Sequence, residues 1–359
     1  MIHPNSKITS FDLVIFGATG DLSVGKILPA LFQRDFDGQI PNDTIIIGLS
    51  RADENDKSFK NLVFKKLNSI LENSKQKAFI PKFLQKIKFI SMDINSPTEI
   101  SKERLKKILN SGKEKIKLFY FATGPELFVS IAQFITKQNL KKANCRIIIE
   151  KPLGYDLNSA KKINSALNSC FNEKQIYRID HYLGKETVQN LMAIRFANQI
   201  FETHWSNKNI SNIQVTVAET NGIAGRANYY DSYGAIKDML QNHLLQLLCL
   251  VAMEPPSKFT ADQVRDEKLK VLQSLNPITE EEDIILGQYE QGSIDRKVIP
   301  SYVSDSLNPK SKTETFVALK IFINNWRWTG VPFFLRTGKR LKYHASEIVI
   351  TFKPIPHVI

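Results

Sequence analysis

Cysteine is scarce in this chain of 359 residues, with only Cys145, Cys170 and Cys249 present. An odd, sparse set without metal-ligand spacing fits a reducing compartment better than a disulfide framework. No metal is expected, and the expected location is cytoplasmic. No apolar run reaches the length of a membrane span. The polar stretch 1–10 leads straight into a strand-like segment, so no signal peptide is expected. An arginine-rich tail is missing too, as is a basic stripe with interleaved aromatics. Those absences bear on the net charge of +13, from 49 Lys and Arg against 36 Asp and Glu. Much of the excess is lysine scattered along helix-like stretches, as at Lys65, Lys66, Lys102, Lys106 and Lys107. The charge therefore reads as a solvated surface, with neither nucleic acid nor membrane expected as partner. A basic nucleic-acid binder is the rival class, and it rests on charge alone.

What is present describes a globular protein with room for two domains: 42% hydrophobic and 24% charged residues. In the first half, strand-like runs at 12–16, 44–49, 87–92, 118–122 and 146–149 alternate with helical stretches. Strands separated by helices predict a parallel, doubly wound sheet of the Rossmann-like α/β class. From about Arg178 the rhythm changes. A helix is expected over 185–201, a strand over 212–219 and an apolar helix over 236–253. After Pro255-Pro256 comes a charged, irregular region to about Lys312, then strands at 316–324 and 347–352. This half predicts an α+β domain with a large, mostly antiparallel sheet. The expected domains are 1–179 for the nucleotide and 180–359 for substrate and catalysis.

Gly17-Ala18-Thr19-Gly20-Asp21-Leu22 follows the first strand and opens a helix, the place where backbone N–H groups and a helix N-terminus receive a pyrophosphate. The position expected to hold a third glycine is Ser23, so the dinucleotide pattern is only approximated. The second strand ends Gly48-Leu49-Ser50-Arg51. An acidic residue there would bind a ribose 2′-hydroxyl. Arg51 suits a 2′-phosphate instead and predicts NADP, unless Asp53 or Glu54 pairs with it as a surface arginine.

Three further clusters carry chemistry. Glu150-Lys151-Pro152-Leu153-Gly154 lies just past a buried strand, where ligand crevices form. In the run Arg178 to Glu186, His181, Tyr182 and Lys185 offer an imidazole, a hydroxyl and an ammonium, enough to hold a phosphate dianion. If that segment is helical, His181 and Lys185 share a face. Asp238-Met239-Leu240-Gln241-Asn242-His243 sits on the apolar helix. A histidine among leucines is commonly a core residue; as a base it needs a carboxylate, which Asp180 would supply.

Taken together, these motifs resemble the glucose-6-phosphate dehydrogenase family. So do Asp266-Glu267-Lys268, Thr313-Glu314-Thr315-Phe316, Asn325-Trp326-Arg327-Trp328 and Leu335-Arg336-Thr337-Gly338-Lys339. The resemblance runs from about Phe11 to the last residue. It implies oxidation of D-glucose 6-phosphate at C1 to 6-phospho-D-glucono-1,5-lactone with NADP, the entry to the oxidative pentose phosphate pathway. His243 matches the general base and Asp180 the carboxylate that orients it. His181, Tyr182 and Lys185 match the phosphate ligands; Glu219 and Asp238 match groups holding sugar hydroxyls. Lys151 matches a lysine contacting substrate and coenzyme, and Lys339 a substrate lysine. Gly17 to Val24, Arg51 and Tyr120 fall on coenzyme positions. His344 stands where the family usually has a second basic residue, often lysine. The resemblance also implies further strands, helices and dimer surface past Ile359, and homodimers or tetramers for the family. The expected consequence is that strands 316–324 and 347–352 lack neighbours. The alternative is a shortened, non-catalytic remnant that keeps nucleotide binding.

Overall fold

The computed structural model describes residues 8–110, 115–141, 143–223, 225–294 and 296–355. The chain divides into two compact units, Met1–Ile179 and Asp180–Ile359.

Among the described residues, unit 1 carries six strands: β1 (Phe11–Phe16), β2 (Ile46–Ser50), β3 (Ile87–Ser91), β4 (Ile116–Phe121), β5 (Cys145–Glu150) and β6 (Ile176–Ile179). They pair in parallel in the order β3-β2-β1-β4-β5-β6. Because side chains alternate across a strand, Leu13 and Ile15 bury into one core with Phe59 and Phe89, while Val14 and Phe16 enter another with Phe119 and Phe121. Cover on both faces explains why these strands read as unbroken apolar runs. The order reverses between β1 and β4, so the glycine turn after β1 stands at the switch point where such sheets hold their ligands. β6 was not expected from the sequence. Its Tyr177 and Ile179 are exposed, as an edge strand allows.

Unit 2 carries β7 (Ile210–Ala218), β8 (Ile284–Gly287), β9 (Gly292–Ile294), β10 (Lys297–Ile299), β11 (Phe316–Phe322), β12 (Pro332–Gly338) and β13 (Ala345–Phe352). Five form one sheet in the order β13-β7-β12-β11-β8; β7 and β12 run parallel and the other neighbours antiparallel. β9 and β10 pair separately. Ile213, Val215, Val217, Phe333 and Leu335 bury against the apolar helix 236–252. Its first part, Ile236–Leu244, is π-helical, and Leu245–Ala252 continues as α-helix.

Four expectations need correction. The region 257–312 is not irregular: it holds the helix Ala261–Gln273, capped by Thr260 Oγ1, together with β8 to β10 and the short helix Tyr302–Ser306. Val271 is the one buried side chain of that first helix, so its pattern is charged almost all round. The helix expected over 185–201 stops at Phe196, and a second begins at Gln199. The segment from Asp180 makes a 3₁₀ turn, His181–Gly184, after which Lys185 is extended, so no shared helical face forms. Finally, of the two strands expected to lack neighbours, β11 is paired on both sides and β13 on one.

Candidate functional site

In unit 1 the turn after β1 is closed by its own backbone. Gly17 and Ala18 N–H donate to the Leu49 carbonyl, and Gly20 N–H donates to that of Gly17. Gly17 has φ +82°, and a Cβ there would run into the Ala122 carbonyl oxygen, so only glycine fits. Ser23, in the third glycine's place, is fully buried, and its Oγ donates to the Gly17 carbonyl at 2.9 Å. A serine thus satisfies itself where the pattern called for glycine. The helical run from 21 to 36 starts here. The N–H groups of Asp21, Leu22 and Ser23 meet no backbone acceptor among the described residues. Arg51, just past β2, is exposed and makes no ion pair among the described residues, so neither Asp53 nor Glu54 engages it. Tyr120, near the end of β4, donates a short hydrogen bond to Glu150 at the end of β5. Burial, and then that carboxylate, push the phenol far up, so it stays a donor. Lys151 follows β5 directly. Gly154 beyond it has φ +105° and packs on Ser159 and Ala160.

Unit 2 brings Asp180 and His243 together across 63 residues of sequence. His243 Nδ1 lies 2.6 Å from Asp180 Oδ1, which also accepts the Tyr182 N–H at 2.9 Å. Burial pulls the Asp180 carboxyl up, but the hydrogen bond and charge of His243 outweigh it and hold the group below its ordinary value. An ionised carboxylate can only accept, so Nδ1–H is the donor, and in the neutral form of the imidazole Nε2 is left with the lone pair. His243 is fully buried, and Nε2 has no hydrogen-bond partner among the described residues. A buried imidazole nitrogen with a free pair has the chemistry to accept a proton.

The imidazole is fixed on two sides. The Tyr182 ring stacks on it at 4.1 Å between centroids, and His181 meets it edge-on at 4.4 Å. Lys185 Nζ reaches back over the Tyr182 ring, 3.6 Å from its centroid. Burial lowers the Lys185 ammonium, against the pull of Glu219. Burial and the charge of Glu219 push the Tyr182 hydroxyl up to about 12, while Ser346 of β13 works the other way. Glu219, just past β7, pairs with Lys339, just past β12. Asp238 is buried and accepts from Tyr229 Oη at 3.2 Å. It lies five residues before His243. Five residues separate side chains by about 140° on an α-helix at about 100° per residue, whereas the i→i+5 winding of a π-helix carries them toward one side. The π segment therefore turns both polar groups toward one side of the helix. His344 is exposed just before β13 and makes no hydrogen bond or ion pair among the described residues. Ser346, two residues on, places that start of β13 beside Tyr182.

Comparison with known proteins follows this geometry. The model of the glucose-6-phosphate dehydrogenase NAD binding domain matches residues 14–190, and that of the C-terminal domain matches 192–359. The chain belongs to the glucose-6-phosphate dehydrogenase family. It is 48% identical over 356 residues to the glucose-6-phosphate 1-dehydrogenase of Rhizobium meliloti (strain 1021), covering 98% of this chain and 72% of that one. The enzyme of the same name from Mycolicibacterium smegmatis is 45% identical over 359 residues, at the same coverages. A solved glucose-6-phosphate dehydrogenase in complex with its substrate glucose-6-phosphate superposes with a TM-score of 0.89 at 37% identity, covering 99% of this chain and 74% of that one.

With the family established, unit 1 takes a nicotinamide coenzyme, and its residues fit one: a turn whose Gly17 has no room for a side chain, leading into a helix whose first N–H groups meet no backbone acceptor among the described residues. Sequence reasoning missed three supporting groups. Glu150 and Glu314 were quoted within motifs without a role, and Tyr229 was not singled out. Their partners lie 30, 78 and 9 residues away. Only the last is near enough for helical spacing to have hinted at it.

Proposed function

We propose that this chain oxidises D-glucose 6-phosphate at C1 to 6-phospho-D-glucono-1,5-lactone, with NADP as coenzyme. The observation that carries the reading is the His243–Asp180 pair, with its buried, unpartnered Nε2 beside His181, Tyr182 and Lys185. His243 Nε2 takes the proton of the C1 hydroxyl as the C1 hydrogen departs with its electron pair. The bound nicotinamide supplies the hydride acceptor. Asp180 keeps the imidazole in the right tautomer and steadies the imidazolium that forms. Lys185, His181 and Tyr182 grip the phosphate dianion. Glu219, Asp238 and Lys339 hold the sugar hydroxyls, and His344 supplies an imidazole at the start of β13. In unit 1, Gly17 to Leu22 receive the pyrophosphate, Tyr120 lines the coenzyme site, and Lys151 keeps the catalytic role its family position implies. The exposed, unpaired Arg51 favours the 2′-phosphate of NADP.

The test is absorbance of the reduced coenzyme with glucose 6-phosphate, for the native chain and His243→Asn. Loss of the base should lower kcat by about 10²- to 10⁴-fold with little change in KM for glucose 6-phosphate. Undiminished turnover in the variant removes His243 from the base role.

A further inference from the structure

The groups proposed to handle the sugar come from two sources. Asp238 and His243 ride on the helix that begins at Ile236, whereas Glu219 and Lys339 stand at the ends of sheet strands β7 and β12. Something must set the helix against the sheet. Apolar packing does part of this, and at the helix start Glu314 adds hydrogen bonds next to a residue held in the sheet. Glu314 accepts the Ala235 N–H on its carbonyl at 3.0 Å and the Ile236 N–H on its carboxylate Oε1, also at 3.0 Å. The next residue, Thr315, is locked into the sheet: its N–H donates to the Gly287 carbonyl at 2.8 Å, and its carbonyl accepts the Lys339 N–H at 2.9 Å. Lys339 is thus one hydrogen bond from the residue that follows the helix anchor.

The chain enters the helix through Gly234, at φ +61° and ψ −177°, a conformation that is essentially confined to glycine. A Cβ there would run into the Glu314 carboxylate. The missing side chain leaves the space that the carboxylate fills. The anion also sits at the positive end of the helix, where it satisfies one of the donors that a helix leaves unpaired.

We infer that Glu314 is a positioning residue for the oxidation: its carboxylate fixes the start of the catalytic helix and so sets Asp238 and His243 against Glu219 and Lys339. This rests on the reaction proposed above. Displacement of reacting groups by about 1 Å costs about 10²-fold in rate. A freed helix start should therefore act on the sugar and leave the nucleotide alone.

The experiment compares the native chain with Glu314→Ala, Glu314→Gln and Glu314→Asp. Native turnover with glucose 6-phosphate comes first, since its absence would strike the reaction and not the role of Glu314. Glu314→Ala should lose about 10- to 100-fold in kcat/KM for glucose 6-phosphate, with the Kd for NADP within about twofold of native. Glu314→Gln keeps an acceptor oxygen at the same reach and should restore most of the loss. An alanine variant within threefold of native overturns the inference, as does a glutamine variant no better than alanine. Should the alanine variant not fold, the other two decide. Aspartate, one carbon short, should fall well below glutamine, and equal activity refutes the role.

Discussion

Two helices in this chain start beside a glycine that has no space for a side chain, and they treat their first N–H groups in opposite ways. After Gly17 the groups of Asp21, Leu22 and Ser23 are left without acceptors among the described residues. After Gly234 the groups of Ala235 and Ile236 are both taken by Glu314. Each helix then passes through π winding, at Ser23–Ile27 and at Ile236–Leu244. An open start keeps its partial positive charge for an anion brought from outside. A filled start has settled its charge internally, and what it offers the ligand is side chains in a fixed orientation. On the function proposed above, the first helix works through its backbone, and the second through Asp238 and His243.

The contrast has consequences that cross. Asp180→Asn alters side-chain chemistry around the filled helix and should lower kcat by about 10³-fold, within the range for general base catalysis, with the Kd for NADP unchanged. The same variant carries a stability signature. The folded carboxyl of Asp180 titrates below its ordinary 3.8, so its contribution is present above about pH 4 and lost as pH falls through the lowered value. The difference in denaturation midpoint between native and variant should accordingly be seen at pH 7 and shrink on acidification below 4. A difference that grows in acid would reverse the sign assigned to the pair.

Gly17→Ala is the converse. It places a Cβ against the Ala122 carbonyl and forces a positive φ on a residue that resists it, costing about 1–3 kcal/mol of strain. Calorimetry should show NADP binding weakened by about 10²-fold, with kcat at saturating nucleotide far less affected. A fall in kcat matching the loss of affinity would mean that the two helix starts are not separable in function.

How much of this was readable beforehand follows from the reach of each interaction. β1 to β4 send side chains into both cores and β5 sends Cys145, Ile147 and Ile149 into one, so their composition marks them. The glycine turn is local and could be read from six residues. β12 could not: Pro332 at its first position and polar Arg336 and Thr337 within it mask a strand that lies at the centre of the sheet. A proline is tolerated there because a first residue need not donate to the ladder. Its parallel pairing with β7 joins residues about 120 apart, which no local pattern encodes. The Asp180–His243 pair was anticipated first because a histidine base needs a carboxylate, and then because the motifs on either side resembled a family. Composition alone would have left His243 a core residue. The hydrogen bond from Ile236 to Glu314 had no such guide, and π winding leaves no mark in the apolar pattern of 236–253.

The smallest effect belongs to Arg51, and it tests what an open helix start is for. If the turn after β1 holds only the pyrophosphate, the choice between coenzymes must lie elsewhere in the unit, and the end of β2 is where the adenosine ribose would be read. Arg51 is exposed there without a carboxylate partner among the described residues. A guanidinium and a phosphate dianion form a two-point pair, but in solvent that pair is screened and loses much of its strength. Arg51→Ala should therefore weaken NADP by only about tenfold, or about 1.4 kcal/mol, and leave NAD binding within about twofold of native. The ratio of the two dissociation constants is the quantity to measure, because a change that merely loosened the turn would weaken both alike. Salt sharpens the distinction: the native preference for NADP should fall as ionic strength rises, and the variant's preference should stay flat.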